Sequence, residues 1–234
     1  SDASGRVHDK KQGKYRQINR FLEYVRDIEK HLPKEGTLHI CDLCCGKSYL
    51  SFAVYHYFAN IRRRDVKMTG ADLKADVIEY CNSVAASLGF TGLSFICTDV
   101  KLFCPDTLPA LVVSLHACDT ATDIVLEKGA GWRAPVILST PCCHHYMNHN
   151  LDCPCLSFIS EHSMLRQKFC DAATDALRAK KLEAEGYSVD AVELVDPDDT
   201  PKNILLRAVL RGGLDEAAKK EYLAAYSFLY GKKE

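Results

Sequence analysis

No apolar run in this chain of 234 residues is long enough to cross a bilayer, which argues against a membrane span. Its polar, basic start carries no apolar signal segment, so the expectation is a cytoplasmic protein with no membrane partner. Internal repeats and low-complexity stretches are missing, which excludes solenoid and array architectures. A dominant charge is missing too: the formal net charge is −1, so overall charge selects no partner. Only its distribution is uneven. Residues 1–20 hold Arg6, Lys10, Lys11, Lys14, Arg16 and Arg20 against Asp2 and Asp9, and Arg62, Arg63 and Arg64 add a second basic point. Such points suit phosphate contacts or a solvated basic face. Neither phosphate-cradling glycine pattern, G-x-x-x-x-G-K-[ST] or G-x-G-x-x-G, is present. Residues 1–40 contain no cysteine.

What is present is a core. Hydrophobic residues make up 47% of the chain, enough for one sizeable domain. The cysteines number twelve. Cys41, Cys81, Cys97 and Cys118 lie in or beside apolar segments and read as small buried hydrophobes. A chain this rich in core needs no disulfide staples, so a reduced protein is expected.

Periodicity organises the chain. Residues 1–12 are expected to form an arm. Ile18, Phe21, Leu22, Val25, Ile28 and Leu32 form a helical stripe that Pro33 and Gly36 end. Strands are predicted over 37–43, 66–73, 93–97, 111–115 and 136–139. Helices are predicted over 48–59, 75–88 and 121–129, the last with Thr120 and Asp123 as a capping pair. The run 111–115 is wholly apolar, as a strand buried on both faces requires. Residues 141–160, rich in Cys, His, Asn and Pro, read as a loop. A helix over 163–185, strands over 187–195 and 203–210, and an amphipathic helix over 214–230 complete the chain. Alternating strands and helices predict a parallel sheet, and the closing strand-turn-strand makes its last strand antiparallel. The expected fold is α/β and Rossmann-like, with a seven-stranded, mostly parallel sheet, one antiparallel strand and helices on both faces. Its parts are a basic arm and helix (1–36), the main domain (37–211) and a C-terminal helix packed on it (212–234).

The chain is organised around residues 39–50, a strand, a tight turn and a helix opening at Ser48. Gly46 lets backbone approach a ligand, and the helix offers unpaired N–H groups. Such a corner is either an ordinary strand-turn-helix connection or a nucleotide-type binding site. A cationic, phosphate-free ligand held by an acidic residue fits it best, and S-adenosylmethionine has that chemistry. Asp42, Asp72 and Asp99 fall at successive strand ends, 72 − 42 = 30 and 99 − 72 = 27 residues apart, one strand-helix unit each. One such Asp is most often a turn or helix cap. In register, Asp72 is placed for ribose hydroxyls, Asp99 for an adenine amino group and Asp42 for a methionine amine. Candidate cofactor-binding residues are Asp42, Cys44, Gly46, Lys47, Ser48, Tyr49, Asp72, Leu73, Asp99, Val100, Leu115 and His116.

Three stretches carry a resemblance: Asp42 to Leu50, Leu115-His116-Ala117-Cys118-Asp119 through Asp123, and Pro141-Cys142-Cys143-His144-His145. Together they resemble class I methyltransferases of the group holding the CHHC-zinc-finger transfer-RNA ribose 2′-O-methyltransferases and related methyltransferase-like proteins. The resemblance covers residues 37–210. It implies S-adenosylmethionine as cofactor, methyl transfer as the reaction and RNA as the acceptor class. The usual D-x-G-x-G-x-G becomes Asp42-x-Cys44-x-Gly46-x-Ser48, with only the middle glycine kept.

Candidate catalytic residues are His116, Asp119, Cys142, His144, Lys202 and Asn203, with His145 a further general base. Strand five is expected to deliver Pro141–His145 to the rim where the turn at Thr200–Asn203 also lies. Cys142, Cys143, His144 and His145, with Cys153 and Cys155, read as a zinc site or a metal-free polar loop. Neighbouring Cys-Cys and His-His side chains are expected to diverge, so no metal is assigned. Cys142 or Cys143 beside His144 is also a candidate thiolate nucleophile. A small-molecule or protein methyltransferase and a non-catalytic cofactor-binding module are the competing readings.

Overall fold

The computed structural model describes residues 12–115, 117–194 and 203–231. The expected arm up to Lys11, His116, the turn 195–202 with Lys202, and residues 232–234 lie outside the described residues.

Seven strands form one sheet: β1 (Leu38–Leu43), β2 (Val66–Asp72), β3 (Leu93–Cys97), β4 (Leu111–Ser114), β5 (Val136–Ser139), β6 (Tyr187–Glu193) and β7 (Ile204–Leu210). Their order is β3-β2-β1-β4-β5-β7-β6, parallel through β5, with β7 antiparallel to both β5 and β6. Every residue of β4 and β5 is buried, because helices cover both faces. Alternate side chains sort to opposite sides. Leu38, Ile40, Leu111, Val113, Val136 and Leu138 join one core cluster, while Cys41, Leu43, Val112 and Ile137 join the other.

The first cluster is closed by α1 (Gln12–Ile28), α2 (Tyr49–Tyr55) and α3 (Ala75–Ser87). α1 is no loose appendage: Phe21, Val25 and Ile28 are fully buried, and the Tyr24 hydroxyl donates to the Glu193 carbonyl, 2.6 Å away. Beyond Tyr55 the α2 helix widens, so that the Arg62 N–H reaches the Tyr57 carbonyl. The second cluster is closed by α4 (Thr120–Gly131) and α7 (Ser163–Ala184), with Gly186 at φ +90° ending α7 as expected. α8 (Glu216–Tyr230) lies on α7; Leu229 and Tyr230 pack with Met147, Cys170 and Leu177 in a smaller third cluster.

Three local expectations are corrected. The segment 141–160 is not all loop: α5 (His145–Asn150), a 3₁₀ turn at Pro154–Leu156 and α6 (Ser157–Ser160) lie within it, each too short to leave a periodic signature. Thr120 and Asp123 do not cap α4, because Asp123 is committed to Arg178 on α7 and the N-cap is Asp119. Cys97 and Cys118 are exposed rather than buried, since one ends the edge strand β3 and the other follows β4 into the rim loop. All twelve cysteines are free thiols.

Candidate active site

Asp42 is only 1% exposed near the end of β1. Its Oδ2 accepts from the Ser51 hydroxyl in the first turn of α2, and its Oδ1 is buried with no hydrogen-bond partner. Burial pushes this carboxyl up to about 7; the Ser51 bond opposes, the charge of Asp72 adds and that of Lys14 opposes. The turn beyond it is left-handed at alternate positions: φ is 61° at Cys44, 52° at Gly46 and 58° at Ser48. The sequence keeps one glycine of three, yet the backbone takes positive φ at all three places. For Cys44 and Ser48 that costs on the order of 1–2 kcal/mol each. A Cβ on Gly46 would meet no atom within 4 Å, because that side faces the cavity. The Gly46 N–H donates to Asp72 Oδ2 at 2.8 Å, so the end of β2 braces the turn.

A cavity of about 320 Å³ opens here, lined by Asp42, Cys44, Gly46, Lys47, Ser48, Tyr49, Asp72 and Leu115 among others. Three further expected cofactor residues lie outside this lining. Leu73 is exposed, Val100 packs in the second core cluster, and Asp99 Oδ1 accepts from the Lys101 N–H at 2.8 Å. Sequence reasoning missed Lys14. It stands on the first turn of α1 yet lines the cavity, and burial lowers its ammonium to about 8 against the pull of Asp42. Its own stretch is basic and exposed, so only the docking of α1 could have revealed it. Arg62–Arg64 precede β2 at the opposite end of the sheet, and Arg62 is bound to Glu29.

The other half of the rim follows β4 and β5. His144 is 3% exposed: Nε2 lies 2.9 Å from Asp175 Oδ1 and Nδ1 lies 3.0 Å from Asp171 Oδ1. Arg178, also buried, grips both oxygens of Asp123 at 2.8 and 3.1 Å, the Asp119 carbonyl at 2.8 Å and Asp175 Oδ1 at 3.3 Å. The Asp119 carboxylate accepts from the Tyr146 N–H at 3.2 Å. The loops after β4 and β5 are thus tied to α7 by one polar network, which the sequence did not reveal. Asn203 is buried on the rim side of β7, three residues before Leu206, the partner of Ser139. Its carbonyl accepts from the Leu194 N–H.

Cys142 and Cys143 do not diverge as expected. Residues 140–144 are neither helix nor strand, and the two Sγ atoms lie 3.7 Å apart. Burial pushes the Cys142 thiol up to about 12, with Cys118 and Cys143 adding, so it is protonated near neutrality and a poor nucleophile as it stands. Cys44 belongs to the donor half. Burial raises its thiol to about 11, and Asp72, Asp42 and Cys118 add to the shift.

A family described as "methyltransferase domain" matches residues 13–150, more than half of the chain. The chain belongs to this methyltransferase family. The methyltransferase shares 24% identity over 227 residues with the human glutathione S-transferase C-terminal domain-containing protein, and 23% with the protein of that name from Bos taurus. Each match covers 84% of this chain and 33% of the relative, so the chain spans about a third of the length of these curated relatives. In fold it is similar to magnesium protoporphyrin IX methyltransferase from Synechocystis PCC 6803 with bound SAH. There the TM-score is 0.54 at 12% identity, over 88% of this chain and 89% of the other. The 23S rRNA methyltransferase ErmE gives a TM-score of 0.51 at 10% identity, over 87% and 75% of the two chains. Among the described residues no helix is long and apolar enough to cross a membrane.

S-adenosylmethionine is the methyl donor that structures of this fold hold, as SAM or as its demethylated product SAH. The donor, when bound, supplies an electrophilic sulfonium methyl. The corner fits such a group on its own terms. A buried carboxylate oxygen without a partner is costly, and a cationic amine satisfies it.

Proposed function

We propose that this methyltransferase carries the donor in the β1–α2 corner and delivers the methyl group to RNA. The observation that carries the donor half is the unpartnered, buried Asp42 Oδ1. In this reading Asp42 takes the donor's amine and Lys14 its carboxylate. Asp72 keeps lone pairs for ribose hydroxyls beyond its bonds to the Gly46 and Lys74 N–H groups, and Asp99 faces the adenine. Asp119, Cys142 and Asn203 belong to the acceptor side, with His116 and Lys202 as sequence-based members. His144 acts there as a positioning residue through Asp171 and Asp175.

The RNA half is supported by the resemblance of Leu115–Asp123 and Pro141–His145 to transfer-RNA ribose methyltransferases. Lys47 and Lys74, exposed at the mouth of the cavity, suit a polyanionic acceptor. Twelve free thiols support a reducing, cytoplasmic setting.

The test is incubation of the protein with methyl-labelled donor and separate total-RNA, protein and metabolite fractions. Label entering RNA at a rate that falls steeply with added salt is the expected result. Label in protein or metabolites alone assigns the other acceptor classes. Donor binding without label in any fraction assigns a binding module.

A further inference from the structure

Three sulfurs from two rim loops meet at one point. The Sγ atoms of Cys118 and Cys142 are 3.7 Å apart, those of Cys142 and Cys143 3.7 Å, and those of Cys143 and Cys118 4.0 Å. Among the described residues this is the one group of three or more Cys, His, Asp or Glu whose ligand atoms converge in this way. The triangle is nearly equilateral. A point equidistant from its corners lies about 2.2 Å from each sulfur, and a tetrahedral zinc with Zn–S bonds of about 2.3 Å requires sulfur separations of about 3.8 Å. The spacing therefore suits one zinc ion just off the plane of the three sulfurs, without movement of the backbone.

The bland explanation is that small apolar side chains pack together. Burial argues against it. Cys118 is exposed and Cys142 and Cys143 are half-buried, so the trio gains little from the core. The same chain buries Cys41, Cys81 and Cys170 in three separate core clusters. The chain is also bent to bring Cys118 in: Asp119, the next residue, has φ 50° and ψ −120°. Arg178 holds that bend through the Asp119 carbonyl.

We propose that Cys118, Cys142 and Cys143 form a three-thiolate zinc site where the loops after β4 and β5 meet. Each thiol gives up its proton to solvent as its Zn–S bond forms. The inference rests on sulfur geometry and is independent of the acceptor's identity.

The test uses the intact chain and zinc alone, with no donor or acceptor. Protein purified with reductant and one equivalent of zinc, then desalted, should retain about one zinc per chain. X-ray absorption at the zinc edge should give three sulfur neighbours at about 2.3 Å and one lighter atom. Titration against a chromophoric chelator should show at least about a hundredfold weaker binding for each of Cys118→Ser, Cys142→Ser and Cys143→Ser. Cys153→Ser/Cys155→Ser should bind as the parent does, because that exposed pair is separate. Failure to retain zinc overturns the proposal. So does a shell of nitrogen and oxygen only, zinc binding that survives Cys118→Ser, or a Cys118–Cys142 disulfide in protein kept with zinc. Absorption on the parent protein decides the matter even where a serine variant does not fold. A parent protein that holds no zinc yet transfers methyl groups would sink the site and leave the donor reading standing.

Discussion

The two halves of the rim are built on opposite plans. After β1 the polar groups are left wanting: Asp42 Oδ1 has no partner, and Cys44 and Ser48 hold left-handed backbone at a cost. After β4 and β5 most charged groups are tied together, with His144 Nε2, Asp175, Asp123 and the Asp119 carbonyl in one network around Arg178, while His144 Nδ1 and Ser139 Oγ are buried without a hydrogen-bond partner. The first half stores a demand that a ligand meets. The second is a platform held by that network, on which the sulfurs of Cys118, Cys142 and Cys143 converge. The donor pocket is therefore expected to gain stability from its ligand, and the acceptor platform to hold its shape without one.

The largest test of this contrast is Arg178→Leu. It leaves Asp175 buried without its cation and should cost about 3–5 kcal/mol, read from the denaturant midpoint. A cost below about 1 kcal/mol would mean that the platform is not held by this network. Next comes the donor corner. Asp42→Asn should weaken donor binding at least tenfold, about 1.4 kcal/mol, by calorimetry, while the ligand-free protein loses no stability above pH 7. If stability falls and binding holds, Asp42 is structural. Asp72→Asn keeps an acceptor for the Gly46 N–H and should lose about tenfold in donor affinity by the same measurement. Unchanged affinity would remove Asp72 from the ribose.

The Asp42 carboxyl gives the contrast a pH signature. Its folded pKa is raised from 3.8 to about 7, so the folded state binds this proton more tightly than the unfolded chain does. The contribution to stability is present at low pH and is lost as pH rises through about 7. Donor binding has the opposite sign at its acid edge, because the amine pairs with the ionised carboxylate. Affinity should fall below pH 7 and fall again above about 8, where the donor's α-amine loses its proton. A flat affinity profile from pH 6 to 9 would break the pairing. The smallest effect is expected at Cys44→Gly, which relieves the left-handed strain and should gain up to about 1 kcal/mol without harming donor affinity.

The sheet was legible because its strands carry their signal locally. Leu111–Leu115 reads as a strand buried on both faces from composition alone, and the short final turn requires β7 to run antiparallel. Asp42 and Asp72 were legible because one strand-helix unit repeats between them. What was illegible lies in long-range pairs. Lys14 reaches the cavity only once α1 has docked, and Asp123 looked like a cap because Arg178, 55 positions away, leaves no local mark. Cys118 was read as a buried hydrophobe because its neighbours are apolar, although the strand has ended before it. The divergence assigned to Cys142 and Cys143 assumed regular backbone, which residues 140–144 do not have.

Lys14 also couples α1 to the donor cavity. α1 is anchored through Phe21, Val25 and Ile28, and its first turn reaches the donor cavity through the Lys14 side chain. Any ligand that engages Lys14 must then slow the fraying of that turn, by a free energy that grows with the logarithm of ligand concentration above its dissociation constant. Amide hydrogens of residues 16–18 would act as a built-in gauge of occupancy, exchanging fast in the ligand-free enzyme and slowly in the loaded one.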